Sequence, residues 1–522
     1  PIANIDEITD EEIDALGLEL EYSGDQALQF CSTNEYAMSN EYVKEYKIPT
    51  TCTQPLAITV DHNGIVWFAQ TSTGKVAKFD PLTETFTEYA NPVWETIEKQ
   101  FILNAVANNA TPEKLRSMMW GMDAFPDGSI WFTDERTDAI WKFTIDSESY
   151  DRISYTNTGE GIQSFSLPQK LIIDGSKIII NDFTGGKLSF LDYAQDRQGL
   201  RHYSIPSVME DAVTSDFGID SDKNVWYTNW VPSGQGVLIK FDYPGYETVA
   251  VRGEVTKGLL LQDFIEWYNF PIGLSTPNGV AVGSEQKIWI ADTSSNYFFS
   301  FDPGTEEFTK YVTSFPTIDS YGNFGKYPVS NPYWIEHHDG NLIMNEHNAN
   351  RIGVFNPSSE ILVEYTVPSR NPNWADCEGI EYCGVAQVFD FAVDGKKIWF
   401  TEWVENNIGV VDTSILLPFS IDIDIKEITL KKGETAEVIL QVTKTSSKHI
   451  IQSANVNYST TATFSDIIIT PELNNFSPSD TPTTISVEIT ASEHALSGTH
   501  RVLLGAYTDD IAVSQFIIVT IV

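Results

Sequence analysis

The sequence predicts an all-β protein, a seven-bladed β-propeller followed by an immunoglobulin-like β-sandwich, on three observations. One strand-turn-strand motif returns seven times between residues 42 and 412. The segment before the first copy resembles the outer strand of a later copy. Past Asp412 the Trp-rich repeat stops, and strand-like runs rich in Ile, Thr, Val and Ser take over.

The clearest copy runs through Pro55-Leu56-Ala57-Ile58-Thr59-Val60, the turn Asp61-His62-Asn63-Gly64, Ile65-Val66-Trp67-Phe68-Ala69-Gln70, then residues 74–81 and 86–89. Four short strands of this kind are the unit of a propeller blade. The other second strands are Ile130-Trp131-Phe132-Thr133-Asp134, Ile178-Ile179-Ile180-Asn181-Asp182, Val225-Trp226-Tyr227-Thr228-Asn229, Ile288-Trp289-Ile290-Ala291-Asp292, Leu342-Ile343-Met344-Asn345-Glu346 and Ile398-Trp399-Phe400-Thr401-Glu402. The period of roughly 55 residues is uneven because insertions sit on a constant core. The largest insertions are residues 91–117, helix-like over 94–106, and residues 245–275, aromatic-rich over 264–268.

The seventh copy ends at Asp412 without a fourth strand, while residues 42–49 copy the outer strand at 362–368. The N-terminal segment is therefore expected to supply the missing strand and pair two open sheet edges. The domains are an acidic segment 1–41 with a short helix over 10–18, a propeller 42–412 and a sandwich 413–522. Strands of the sandwich are expected near residues 436–442, 484–489 and 514–520.

With 32 Lys and Arg against 73 Asp and Glu, the formal net charge is −41. Nucleic acid needs a basic footprint, and the sequence has none. Such a surface gathers cations and suits a salty or extracellular medium. No run of about 20 apolar residues would span a bilayer. The sequence begins at Pro1 without a methionine, which reads as a removed leader or a start inside a longer precursor, and an anchor beyond residue 522 stays open. Cys31, Cys52, Cys377 and Cys383 flank the expected closure. Two disulfides there fit an oxidising compartment, most simply Cys31 with Cys52 and Cys377 with Cys383, with crossed pairing open. Sequons at Asn109, Asn457 and Asn475 permit glycosylation.

Strings such as Lys397-Ile398-Trp399-Phe400-Thr401-Glu402-Trp403 and Asn350-Arg351-Ile352-Gly353-Val354-Phe355-Asn356 resemble the blades of virginiamycin B lyase-like (streptogramin lyase) propellers. The resemblance covers about residues 42–412. It implies catalytic blades that open with Pro-His-Gly-Ile, whose histidines work beside a magnesium held by glutamate. Here the matching positions are Leu56, Trp120, Gln169, Ser215, Asn278, Tyr333 and Phe389. None is histidine, so the family's ring-opening elimination is not expected to carry over.

Histidines elsewhere do not restore the pattern. His62, His337 and His338 fall in turns at the opposite end of their blades, and His347 stands alone at the family's active end. Met118, Met119 and Met122 read as packing rather than a soft-metal site.

The last residues of the second strands, Gln70, Asp134, Asp182, Asn229, Asp292, Glu346 and Glu402, should gather near one face of the ring. They read either as caps of neighbouring loops or, for a subset, as oxygen ligands selecting calcium or magnesium. The candidate metal ligands are Asp134, Asp182, Asp292, Glu346 and Glu402.

The expected role is an exported, cell-surface-associated binding or structural module. Its expected partners are a cell-surface protein or copies of itself, together with cations. The alternative is a metal-dependent lyase or lactone hydrolase on the carboxylate-lined face.

Overall fold

The computed structural model describes residues 24–108, 110, 115–154, 167–192, 202–205, 207–232, 235–251, 261–325, 329–446 and 451–522. The helix expected over 10–18 and the sequon asparagine at position 109 lie outside the described residues. Strand makes up 51% of the chain and helix 8%, which places the protein in the all-β class.

Four-stranded antiparallel units follow one another through residues 55–89, 122–154, 168–205, 217–269, 277–312, 332–366 and 388–412, the last completed by Val43–Lys47. The first strand of each unit lines one common cavity, so the units stand around an axis. Second strands such as Val66–Gln70 and Ile288–Asp292 are buried along their whole length. They lie between two neighbouring units, which is why they read as continuous apolar runs rather than alternating ones. Outer strands such as Thr85–Tyr89 are half exposed and carry polar residues.

In the third strands the Ile-Gly-Val signature has a steric cause. A Cβ on Gly409 would stand 2.2 Å from the Phe400 ring, so only glycine lets that ring lie across the strand.

The closure follows the sequence reading. Val43–Lys47 pairs antiparallel with Asn407–Asp412, in register from Val43 opposite Val411 to Lys47 opposite Asn407. Across the seam, Thr401 Oγ1 donates to the carbonyl of Leu56 at 2.7 Å, and Asp390 Oδ2 accepts the amide of Ile58 at 3.1 Å. The disulfides are Cys31–Cys52 and Cys377–Cys383, the uncrossed pairing.

The helix expected in the first insertion spans Pro92–Ala107. Asn91 caps it by accepting the amide of Trp94, and proline occupies its first turn. Buried Trp94 lies over Gly74, where a Cβ would come within 2.1 Å of the indole and φ is +64°. The aromatic run of the second insertion falls on a regular strand of the repeat. Ile265–Asn269 is the outer strand of its own unit.

The C-terminal residues form two sheets over a shared core of Val438, Leu440, Ile485, Val487, Leu504 and Val519. The strands expected near 436–442, 484–489 and 514–520 lie within Thr435–Lys444, Thr483–Ala491 and Ile511–Ile521.

One of these sheets is not confined to the C-terminal part. Ile511–Ile521 pairs with the outer strand Ile361–Thr366, so a propeller unit and C-terminal strands form one nine-stranded sheet. Phe516 packs at this junction among Tyr311, Phe355 and Phe298, with centroids 5.3, 5.6 and 6.5 Å away. Asn457 is buried there, its amide donating to Ser314 Oγ at 2.5 Å and Ser514 Oγ at 2.6 Å. In the folded chain that sequon nitrogen is therefore a junction group, which corrects its reading as a glycan site. Asn475 is exposed, with its amide on Ser453 Oγ and Asn455 Oδ1.

Two outcomes follow from the pairing. A chain starting at residue 51 lacks the closing strand and is expected to lose its single cooperative thermal transition in circular dichroism. An unchanged melt would contradict the closure. Phe516→Ala, which empties the junction, is expected to cost about 3–5 kcal/mol in denaturant titration.

Candidate functional site

The positions matched to the lyase histidines come together at one end of the axis, and they fill it. Trp120 stacks on Tyr333 with centroids 6.0 Å apart and meets Phe389 edge-on at 5.3 Å. Phe389 continues to Trp403 at 5.4 Å, and Trp403 to Phe30 and Trp374 at 5.5 and 5.6 Å. The Arg116 guanidinium lies over Phe30 at 4.8 Å. Phe30 ends the helix Gly24–Phe30, which Asn371 Nδ2 holds by donating to the carbonyls of Leu28 and Gln29.

On the far side of the ring, Ser215 Oγ donates to Asn278 Oδ1 at 2.9 Å, and Gln169 is buried beside them. The end of the axis that would hold a substrate is thus a packed aromatic and amide layer.

His347 sits inside this layer, 4.2 Å from the Phe389 ring centroid. Burial pushes its imidazole down to about 4. It is neutral at pH 7 and far from the value a general acid or base would need there. Met119 and Met122 pack with Trp94, Phe132 and Trp141, as the packing reading holds.

The strand-end acids do not converge on an ion. Asp134 accepts from Ser117 Oγ, Thr137 Oγ1, the Thr137 amide at 3.2 Å and Trp141 Nε1 at 3.0 Å. Asp182 accepts the amide of Gly185 at 2.9 Å. Asp292 accepts the Thr276 amide and the hydroxyls of Ser294 and Ser295, each at 2.9 Å. Glu346 accepts Arg351 Nη2 at 2.6 Å, and Glu402 accepts Asn407 Nδ2 at 2.8 Å.

Each acid therefore caps a loop or pairs within its own unit. Among the described residues, no three His, Cys, Asp or Glu side chains come together as a metal-binding group. The donor set does not fit the family's magnesium: a guanidinium stands against Glu346, and hydrogen-bond donors already surround Asp134 and Asp292.

The chemistry-bearing cluster lies elsewhere, in the axial cavity of about 410 Å³ at the opposite end. Lys170, Asp123, Asp216, Glu336 and Asp390 line it, as does His337. Lys170 Nζ pairs with Asp390 Oδ1 at 2.7 Å and lies 4.5 Å over the Trp334 ring. Burial opposes its charge, but Asp390 and Asp216 outweigh it and raise the ammonium above the usual lysine value.

The acids are driven up as well, which for a carboxyl favours the neutral form. Burial drives Asp216 up to about 7 and Glu336 up to about 8, with Lys170 resisting both, and drives Asp123 up to about 6. One lysine thus stands among four carboxyls whose neutral forms burial favours.

The sequence reading missed this cluster, although the signal was present. Lys170, Asp216 and Asp390 each stand one residue after a matched position, and Asp123 and Glu336 three residues after, and all five line the cavity.

Removing Lys170, the one lysine or arginine lining the cavity among the described residues, leaves four acids facing one another. Lys170→Met is expected to destabilise by about 3–5 kcal/mol at pH 8. At pH 5, below the raised values of Asp123, Asp216 and Glu336, fewer of these carboxyls are charged, so the loss should shrink. Denaturant titrations at both pH values check this, and an equal loss at both would contradict it.

No protein-family model matches the chain, and no curated protein matches it in sequence. Among solved structures it is similar to virginiamycin B lyase from Staphylococcus aureus. That likeness has a TM-score of 0.50 and 18% identity, over 71% of this chain and 98% of that one. A catalytically inactive variant of virginiamycin B lyase from the same organism, with quinupristin, gives a TM-score of 0.51 at 17% identity over the same shares. At such identities the likeness speaks for the fold alone: the chain carries a virginiamycin B lyase-like β-propeller.

Proposed function

We propose that this chain is an exported, cell-surface-associated protein, a seven-bladed propeller with an immunoglobulin-like C-terminal sandwich, acting as a binding or structural module. The observation that carries the reading is the aromatic layer of Trp120, Tyr333, Phe389 and Trp403 at the end of the axis where the lyase resemblance puts catalytic histidines. A site for ring-opening elimination needs a titratable group within reach of substrate. Here that volume holds packed rings and a histidine kept neutral by burial.

The sheet shared between propeller and C-terminal strands supports a mechanical role. Backbone bonds from Ile361 opposite Gln515 to Tyr365 opposite Ile511 join the two parts, where a flexible linker would leave them free to swing. A rigid body of this kind suits a spacer or assembly unit that contacts a cell-surface protein or further copies of itself. The two disulfides fit the extracellular placement. Among the described residues no helix is long and apolar enough to cross a membrane.

Purified protein incubated with quinupristin, with or without magnesium, is expected to leave the lactone intact by mass spectrometry. Turnover would overturn the reading in favour of the metal-dependent lyase.

A further inference from the structure

The two halves of the axis are built on opposite terms. The aromatic layer shows that this ring can close an axis with packed side chains. Beyond Trp334 it leaves a cavity of about 410 Å³ instead, a size that takes a small molecule, lined among the described residues by one lysine and four carboxyls. Charged groups in such a place cost stability that apolar packing would not. The cavity and its lining therefore call for a reason beyond the fold.

Three of the acids have a structural task. Asp390 of the seventh unit accepts the Ile58 amide of the first at 3.1 Å, Asp123 of the second accepts the Ile173 amide of the third at 3.3 Å, and Asp216 of the fourth accepts the Val280 amide of the fifth at 3.2 Å. Each staples a first strand to its neighbour across a seam. Asp123 and Asp216 also accept the amides of Ala124 and Phe217, both at 2.8 Å, and Asp390 carries Lys170.

Glu336 has no such task. It stands on the strand Pro332–His338, and among the described residues no hydrogen bond or ion pair reaches its carboxyl. Its side chain is surrounded by protein yet open to the space inside the cavity. The next residue, His337, supplies no cation: its Nε2 accepts the Ser284 amide at 3.3 Å, and burial lowers its imidazole.

The cavity thus holds acceptors in excess of donors and negative charge in excess of positive, with one carboxylate left free. A metal ion would need several oxygens drawn to about 2.0–2.6 Å from one point, and no three acids come together in that way among the described residues. Ammonium groups donate over about 2.7–2.9 Å and can be spread along a flexible stem, so they suit acceptors that face one another across a cavity. Four carboxyls against one lysine leave room for more than one such group.

We propose that the axial cavity is a binding site for a small organic diamine, one ammonium of which is received by the free carboxylate of Glu336. The proposal rests on the binding role given above and adds a ligand class to it. The second ammonium is offered the lone pairs of Asp123 and Asp216 that the backbone amides leave unfilled. The formal charge of −41 gathers such cations around the protein.

The test is isothermal titration calorimetry of the full chain at pH 8 with 1,4-diaminobutane, beside 1,4-butanediol as the uncharged analogue. The diamine should saturate at one per chain, and the diol should give no binding. Glu336→Gln keeps the shape and removes an acid whose charge burial opposes, so it should melt no lower than the intact protein while binding the diamine at least tenfold more weakly. Should it not fold, Glu336→Asp, which draws the carboxylate back towards its strand, takes its place with the same expectation. Unchanged affinity in the folded variant, or equal binding of diol and diamine, would overturn the proposal. So would a diamine signal abolished by sodium chloride of equal ionic strength, which would put the amine on the outer acidic surface, or one displaced by equimolar calcium, which would make the site a metal site. Absence of saturation would overturn it too and leave the module's structural role standing, since that reading falls on turnover of quinupristin.

Discussion

A β-strand with an unpaired edge presents a row of N–H and C=O groups that water or another chain must satisfy, and a ring built from a linear chain generates such edges where it begins and ends. Here the edge of the seventh unit receives Val43–Lys47, and the edge of the sixth receives Ile511–Ile521. The two chain ends thus cover adjacent units. Much else follows from that need: the disulfide beside the closing strand, the buried Asn457 bridge to Ser314 and Ser514, and the Phe516 contact with Tyr311. A C-terminal part attached by paired backbone is fixed in orientation by the sheet's own register.

The axis is divided between two chemistries. At one end, side chains of the matched positions exclude water by packing rings against one another, and such aromatic contacts hold without any titratable group. At the other, Lys170 and four acids share a cavity in which each carboxyl is costly to ionise. Trp334 is the hinge between them, meeting Trp120 at 6.4 Å on one side and carrying the Lys170 ammonium on the other. The backbone is lyase-like, while packed rings fill the volume where the lyase resemblance puts histidines; a shared fold does not by itself carry a function.

The repeated strands, the closing strand and two disulfides at the closure were legible in the sequence, because each rests on local pattern or near neighbours; spacing left the pairing open, and the structure has it uncrossed. The helix over Pro92–Ala107 was legible as a helix-like run over 94–106, and the Asn91 cap and first-turn proline fix where it begins. The pairing of Ile361–Thr366 with Ile511–Ile521 was not. Strand partners nearly 150 residues apart share no periodicity, and an apolar run such as Phe516-Ile517-Ile518-Val519 fits a sandwich core equally well. The strand-end acids were legible as a column but not as a site. Whether Asp134 caps or coordinates depends on Ser117 and Thr137 arriving beside it, and a hydroxyl's direction leaves no mark in sequence. The axial cluster was not legible for a different reason: its charged residues come from five repeats and form no motif within any one of them.

The formal charge of −41 counts every carboxyl as ionised. Asp123, Asp216, Glu336, Asp390, Glu346, Glu402 and Glu45 are all pushed upward, chiefly by burial, and they lie in the axis or in the seams rather than on the surface. Part of the acidity therefore belongs to the interior, where it is held by protons, by Lys170 and by Arg351, and contributes little to the outer field. A surface adapted to salt would be screened as ionic strength rises, whereas buried carboxyls answer to pH and hardly to salt. The two portions of the charge act on separate variables: the outer one governs solubility and cation gathering, and the inner one answers to burial and to its ion pairs with Lys170 and Arg351.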